Sequence, residues 1–146
     1  MIEKKLMNGV RAFVDTNVIA YLYSKDDELK RNRAYFVMKQ YNCLISIQVL
    51  NEFSNLCIKK WKFHKEKILN LTRQICIYCD VAYIYEGTIE KALGVHEKYG
   101  YAYYDSLIIA TALENDCLYL LSEDMADGQV IDGRLTIKNI FVHENF

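Results

Sequence analysis

The segment Ser106-Leu-Ile-Ile-Ala-Thr-Ala-Leu113 is apolar almost all round a helical wheel. A helix with no polar face is buried on every side, so the rest of the chain has to enclose it. The flanking sequence supplies the enclosing layers. Short apolar runs at Arg11–Asp15, Cys43–Ser46, Val81–Ile84, Leu118–Leu121 and Leu135–Ile140 read as strands. Helical patterns lie between them: Val18 to Tyr23, an amphipathic stretch ending near Tyr41, a helix opened by Ile47, His64 to Tyr78, and Thr88 to Tyr99 closed by Gly100. In the helix opened by Ile47, Val49, Phe53, Leu56 and Lys60 recur at spacings of 4, 3 and 4 residues on one face. Strands that alternate with helices need crossover connections. The expected fold is therefore α/β: a three-layer α/β/α sandwich around a central, mainly parallel sheet, in one domain spanning 1–146.

Composition closes off other classes. With 52% hydrophobic and 25% charged residues, a disordered polymer is excluded. No proline and only 6 glycines argue against collagen-like material and against a turn-dense sandwich. No apolar run reaches the ~18–20 residues of a membrane span, and the first ten residues, MIEKKLMNGV, lack the apolar core of a secretion signal. The expectation is a soluble cytoplasmic protein. Five cysteines at 43, 57, 76, 79 and 117 then read as reduced thiols packed in the core. Cys76 and Cys79 have redox-motif spacing, but they fall late in a helical pattern, and no second pair or nearby histidine completes a zinc site.

The net charge of −1 conceals an asymmetry: residues 1–73 carry 14 Lys/Arg against 7 Asp/Glu, and residues 74–146 carry 4 against 12. An acidic cluster that holds a metal, beside a basic face that holds phosphates, has this pattern. Four carboxylates are placed to form such a cluster, because open parallel sheets bind ligands outside the carboxyl ends of their strands. Asp15 ends the first strand, Asp124 follows the Leu118–Leu121 strand, Asp105 opens the buried helix, and Glu52 lies one turn into the helix that leaves Ser46. Each has a plain explanation alone. Asp15 and Asp124 suit turns, Asp105 suits an N-cap, and Glu52 suits a helix margin. Independent turn residues, however, have no reason to meet at one sheet edge. Carboxylates within ~4–6 Å of each other repel; a divalent cation relieves that repulsion, and all-oxygen ligands favour Mg²⁺ or Mn²⁺ over zinc.

Four segments then carry a family resemblance: Phe13-Val-Asp-Thr-Asn-Val-Ile19, Ile47-Gln-Val-Leu-Asn-Glu-Phe-Ser54, Tyr104-Asp-Ser-Leu-Ile-Ile-Ala-Thr-Ala-Leu113 and Leu120-Leu-Ser-Glu-Asp-Met-Ala-Asp-Gly-Gln129. In order and spacing the chain resembles PIN-domain ribonucleases, most closely the VapC-type toxins of toxin–antitoxin modules, over about residues 11 to 142. The resemblance implies that Asp15, Glu52, Asp105 and Asp124 coordinate Mg²⁺ or Mn²⁺, with Asp127 at a less regular fifth acidic position. It implies that Thr16, Asn17 and Ser122 orient carboxylates and waters from beside the metal. It further implies hydrolysis of RNA to 5′-phosphate and 3′-hydroxyl ends, a homodimer, and a small cognate antitoxin whose C-terminal segment lies across the site.

The stretch from Lys59 to Lys67 interleaves five lysines with Trp61 and Phe63. Lys59, Lys60, Trp61 and Lys62 are candidates for RNA contact, the lysines on phosphates and the ring on an unpaired base. Equally, the two rings could anchor a helix junction while the lysines stay solvated. Rival functions are a PIN-like nuclease of RNA processing or of DNA outside a toxin system, and a non-catalytic module docking a partner on an acidic edge. A phosphoacceptor receiver domain fits poorly, because Asp26-Asp27 follows a helix rather than a strand.

Overall fold

In the computed structural model, residues 9–142 are described; residues 1–8, most of the segment read for a secretion signal, lie outside them. The chain runs β1 (Arg11–Val14), α1 (Thr16–Tyr23), α2 (Glu28–Met38), β2 (Asn42–Ser46), α3 (Ile47–Lys59), α4 (Lys65–Tyr78), β3 (Asp80–Ala82), α5 (Glu86–Tyr99), α6 (Tyr103–Glu114), β4 (Tyr119–Leu121), β5 (Val130–Ile131) and β6 (Leu135–Lys138). Local chemistry sets many of these boundaries. The Asp15 carboxylate accepts the backbone N–H of Thr16 and starts α1, while Ser46 accepts that of Val49 at 3.3 Å and starts α3. Gly100, with φ of +79°, closes α5 in the left-handed conformation that a side chain would disfavour.

The strands form one sheet in the order β3-β2-β1-β4-β6-β5. Every neighbouring pair is parallel except β5 with β6. The chain thus steps from β1 to β2 to β3 in one direction, then returns past β1 to lay down β4 on its other side. Because such crossovers are right-handed, the reversal places α5 and α6 on the face opposite α1 to α4. The expected α/β/α sandwich results, with the strand order reversing between β1 and β4.

Its centre is nearly dry. Ala12, Phe13 and Val14 of β1 are fully buried, as are Leu120 and Leu121 of β4. In α6, every residue from Ser106 to Leu113 is buried, as an all-apolar surface demands. Four cysteines are buried and Cys76 is exposed, all as free thiols. A hydrogen bond with Cys43, together with burial, pushes the Cys79 thiol well above its ordinary range, so it is a packing residue with little thiolate character. Among the described residues, no helix is long and apolar enough to cross a membrane.

Two local expectations are corrected, and one strand was not anticipated. Asp105 does not cap α6: Ala102 holds that position, and Asp105 lies in the helix's first turn, where the helix dipole favours an acid. The third strand pairs through Asp80–Ala82 rather than Val81–Ile84, because its register is set by Ile45↔Val81 and Tyr83 has turned out into solvent. The two-residue strand β5 escapes sequence detection, since Val130–Ile131 sits among turn residues and exists only by pairing with β6.

Phe13→Ala, which empties a fully buried ring site on the central strand, should lower unfolding free energy by about 3–5 kcal/mol. Leu29→Ala, at a side chain 84% exposed, should change it by less than about 0.5 kcal/mol. Urea titrations of the two variants check the contrast; equal effects would show that β1 does not lie in the core.

Candidate functional site

The reversal of strand order between β1 and β4 opens a crevice outside their carboxyl ends. Asp15 leaves β1 directly into it, and the Asp15 N–H bonds the Leu121 carbonyl at 2.9 Å, locking the two strand ends together. The Asp15 carboxylate is only 6% exposed. It accepts the Thr16 N–H at 2.7 Å and the hydroxyl of fully buried Ser122 at 2.8 Å. Burial nevertheless pushes its pKa from 3.8 up to about 6, against the lowering effect of those two hydrogen bonds, with repulsion from Glu52 and Asp105 adding to the rise.

Glu52 reaches the same crevice from α3. Thr16 Oγ1 donates to its Oε2 at 2.8 Å, and Gln48 Nε2 donates to its Oε1 at 2.7 Å. Gln48 also donates to the Tyr104 carbonyl at 3.1 Å, so one amide ties α3 to the start of α6. Asp105, half-buried on α6, accepts no hydrogen bond from any described residue. Burial raises its pKa first, followed by repulsion from Glu52 and Asp124. Asp124 is exposed, and Asn17 Nδ2 donates to its Oδ2 at 2.9 Å while Asn17 Oδ1 accepts the Glu123 N–H at 3.3 Å.

Four acidic residues distant in sequence thus feel one another across a single crevice. Among the described residues none of the four is ion-paired with a lysine or arginine; the ion pairs that form lie elsewhere, such as Lys30–Glu123 and Lys98–Asp132. Their oxygens are instead held apart by neutral donors. As they lie, no three His, Cys, Asp or Glu side chains among the described residues are drawn in closely enough to ligate one ion. Asp127 stands apart: it accepts the Asn139 N–H at 2.9 Å and is not among the groups that repel Asp15 or Asp105.

The basic stretch sits at the far end of α3, about 12 Å along the axis from Glu52 at 1.5 Å per residue. Lys59, Lys60 and Lys62 are exposed. Trp61 is partly buried, its ring 6.1 Å from Phe53 and 5.5 Å from Phe63, packed against the core. Two contributors were not anticipated from sequence. Gln48 carries a usable signal, since it precedes Glu52 by one helical turn. The clamp of Lys30 and Tyr21 on Glu123, which fixes the loop bearing Asp124, joins residues too far apart to have shown one.

The PIN domain family model matches residues 12–126. No curated protein sequence matches the chain. Among solved structures, it is similar to the sarcin-ricin-loop-cleaving toxin VapC20 of Mycobacterium tuberculosis, at 17% identity and a TM-score of 0.62 over 77% of this chain and 91% of that one. It is also similar to a toxin–antitoxin complex from Klebsiella pneumoniae, at 20% identity and a TM-score of 0.68 over 88% and 97%. A third similar structure is VapBC2 of Rickettsia felis bound to a promoter DNA fragment, at 17% identity and a TM-score of 0.64 over 87% and 98%. At these identities the structures speak for the fold, whereas the family model spans most of the sequence and includes all four crevice carboxylates. The chain belongs to the PIN domain family.

Proposed function

We propose that this PIN-domain protein is a metal-dependent endoribonuclease and the toxin of a type II toxin–antitoxin pair, acting in the cytoplasm. The observation that carries the reading is the crevice: Asp15, Glu52 and Asp105 repel one another there, with no cationic side chain in the described chain to relieve them. Asp15, Glu52, Asp105 and Asp124 would hold Mg²⁺ or Mn²⁺, and Asp127 is the weaker candidate. All-oxygen donors suit these hard cations. When bound, such a cation supplies the positive charge that polarises a phosphodiester and activates water for its hydrolysis.

The chain's own residues then have defined tasks. Ser122 and the Thr16 N–H hold Asp15 in place. The Thr16 hydroxyl and Gln48 aim Glu52, and Asn17 aims Asp124. Ser106 takes no part: it is fully buried and donates to the Tyr101 carbonyl at 3.2 Å. Lys59, Lys60 and Lys62 would contact phosphates of the strand beyond the crevice, with Trp61 supporting them from the core rather than stacking. The antitoxin partner is supported by the Klebsiella neighbour, a toxin–antitoxin complex, alongside the Rickettsia VapBC2 structure. A homodimer is part of the same proposal. The second reading is a PIN nuclease outside a toxin system, acting on RNA processing or DNA; cleavage of DNA in preference to RNA would favour it. A non-catalytic docking module would show neither activity.

Asp105→Asn should reduce Mg²⁺- or Mn²⁺-dependent RNA cleavage by at least about 100-fold, read by sequencing 5′-phosphate ends, while its metal-free stability equals or exceeds that of the parent because one repulsion is gone. Retained cleavage in that variant overturns the assignment. The raised Asp15 pKa fixes a pH dependence with a definite sign. The folded state holds this proton more tightly than the unfolded chain, so the associated stability is complete below about pH 4 and is lost as pH rises through about 6. Chelated protein should therefore lose up to about 3 kcal/mol over that window, and added Mn²⁺ should stabilise it more at pH 7 than at pH 5. Denaturant titrations measure both; a flat profile would contradict the burial of an ionisable Asp15. Charge reversal at Lys60 and Lys62 should weaken RNA binding and flatten its dependence on salt, checked by fluorescence anisotropy at several salt concentrations.

A further inference from the structure

Two tyrosine hydroxyls tie the loop that follows β4 to the segment around the α5–α6 junction. Tyr101 Oη donates to Gln129 Oε1 and accepts the Ala126 N–H at 3.2 Å. Tyr99 Oη donates to Asp132 Oδ1 at 3.0 Å and accepts the Asp132 N–H at 2.9 Å. Each phenol thus uses both its donor and an acceptor lone pair, and each ring packs against the core. The two hydroxyls make the same kind of contact, and only their targets differ. Ala126 lies two residues after Asp124, whereas Asp132 lies eight after it.

Tyr101 also holds the other side of the crevice. Its carbonyl accepts the hydroxyl of fully buried Ser106 at 3.2 Å, and Ser106 is the residue next to Asp105. That contact matters because Ala102, at the N-cap of α6, offers no side-chain hydrogen bond to the helix start. No hydrogen bond steadies the Asp105 carboxylate either, so its place is set by the backbone that carries it. One residue therefore fastens both the turn that bears Asp105 and the loop that bears Asp124, two acids close enough to repel. Lys30 and Tyr21 grip that loop at Glu123 from α2 and α1, and Tyr101 grips it from between α5 and α6.

We propose that Tyr101 is a positioning residue of the crevice: its hydroxyl sets where Asp124 stands relative to Asp105, and so how well the two share a divalent cation. This rests on the metal-dependent reading of the crevice and extends it to a residue that hydrogen-bonds neither carboxylate. Tyr99 supplies the contrast. Its hydroxyl holds the same loop through two bonds, but at a point remote in sequence from Asp124. A hydroxyl that only stiffened the loop would be interchangeable with the other; one that places a carboxylate is not.

The test compares the parent full chain with Tyr101→Phe and Tyr99→Phe, each of which deletes one hydroxyl and keeps the ring. Mn²⁺ alone is the probe, its free concentration read by electron paramagnetic resonance at neutral pH. Tyr101→Phe should raise the Mn²⁺ Kd about 10-fold, the lower end of what losing a partner beside a metal site costs. Tyr99→Phe should leave that Kd at the parent value, although urea titration should show both variants less stable. Cleavage of a labelled RNA, measured in parallel, should show kcat lowered by Tyr101→Phe with KM for RNA unchanged. Gln129→Leu removes the acceptor of the same hydroxyl and should shift Mn²⁺ affinity in the same direction, which tests the role even where Tyr101→Phe fails to fold. Parent-like Mn²⁺ affinity in Tyr101→Phe, or equal weakening by both tyrosine variants, overturns the role. A parent that binds Mn²⁺ yet cleaves no RNA, with affinity lost in Tyr101→Phe, overturns the ribonuclease reading and leaves Tyr101 its role. Cleavage with equal Mn²⁺ affinity in all these chains overturns the role alone, and a parent that binds no Mn²⁺ overturns both.

Discussion

Much of this structure depends on keeping like charges together in a place where water cannot screen them well. Asp15 is almost fully enclosed, yet it faces Glu52 and Asp105 across the crevice. A fold meets such a cost by pairing each charge with a cation, by protonating one of them, or by waiting for an ion from outside. The first is not what this chain does among its described residues, and the raised pKa of Asp15 records a tendency toward the second. Neutral donors hold the arrangement in the meantime. Ser122 and the Thr16 N–H steady Asp15, the Thr16 hydroxyl and Gln48 steady Glu52, and Asn17 steadies Asp124. Neutral donors orient carboxylates without discharging them, so the repulsion within the crevice remains.

The surrounding architecture explains why the donors and acceptors meet at all. Parallel pairing of β1 with β4 brings Val14 beside Leu121, so the residues following each strand emerge together. Asp15 and Ser122 are then neighbours despite their separation in sequence. On one side α3 enters with Glu52, and on the other α6, buried from Ser106 to Leu113, enters with Asp105. That burial gives α6 little freedom to shift, and Gln48 bridges the two helices at the mouth. A rigid dry helix is a good mount for a charged group that must keep its position. The loop carrying Asp124 is steadied differently, by Lys30 and Tyr21 gripping Glu123.

Several features were legible because they depend on near neighbours. The strand and helix order follows from apolar periodicity, the buried helix from its lack of a polar face, and the stop at Gly100 from backbone freedom. The boundary errors share a cause: pairing partners, not local preference, decide where a short strand begins. Val81–Ile84 reads as one apolar run, but only through Ala82 does it find a partner in β2. Asp105 has a good capping side chain, yet Ala102 takes that position because α6 begins earlier, at Tyr103. Trp61 reads equally as a stacking platform or an anchor until its distances to Phe53 and Phe63 are known.

Sequence by itself determined the class of fold and the identity of the acidic residues, since periodicity and residue type are local properties that survive without coordinates. Tertiary structure alone decided how those acids relate: which is buried, which repel, which are steadied by neutral donors, and that Asp127 turns toward Asn139 instead. It alone showed Gln48 tying Glu52 to the start of α6. The reason is physical: a carboxylate's charge, a hydrogen bond's partner and a cavity's walls are set by groups brought together only when the sheet closes, and no stretch of chain contains them in advance.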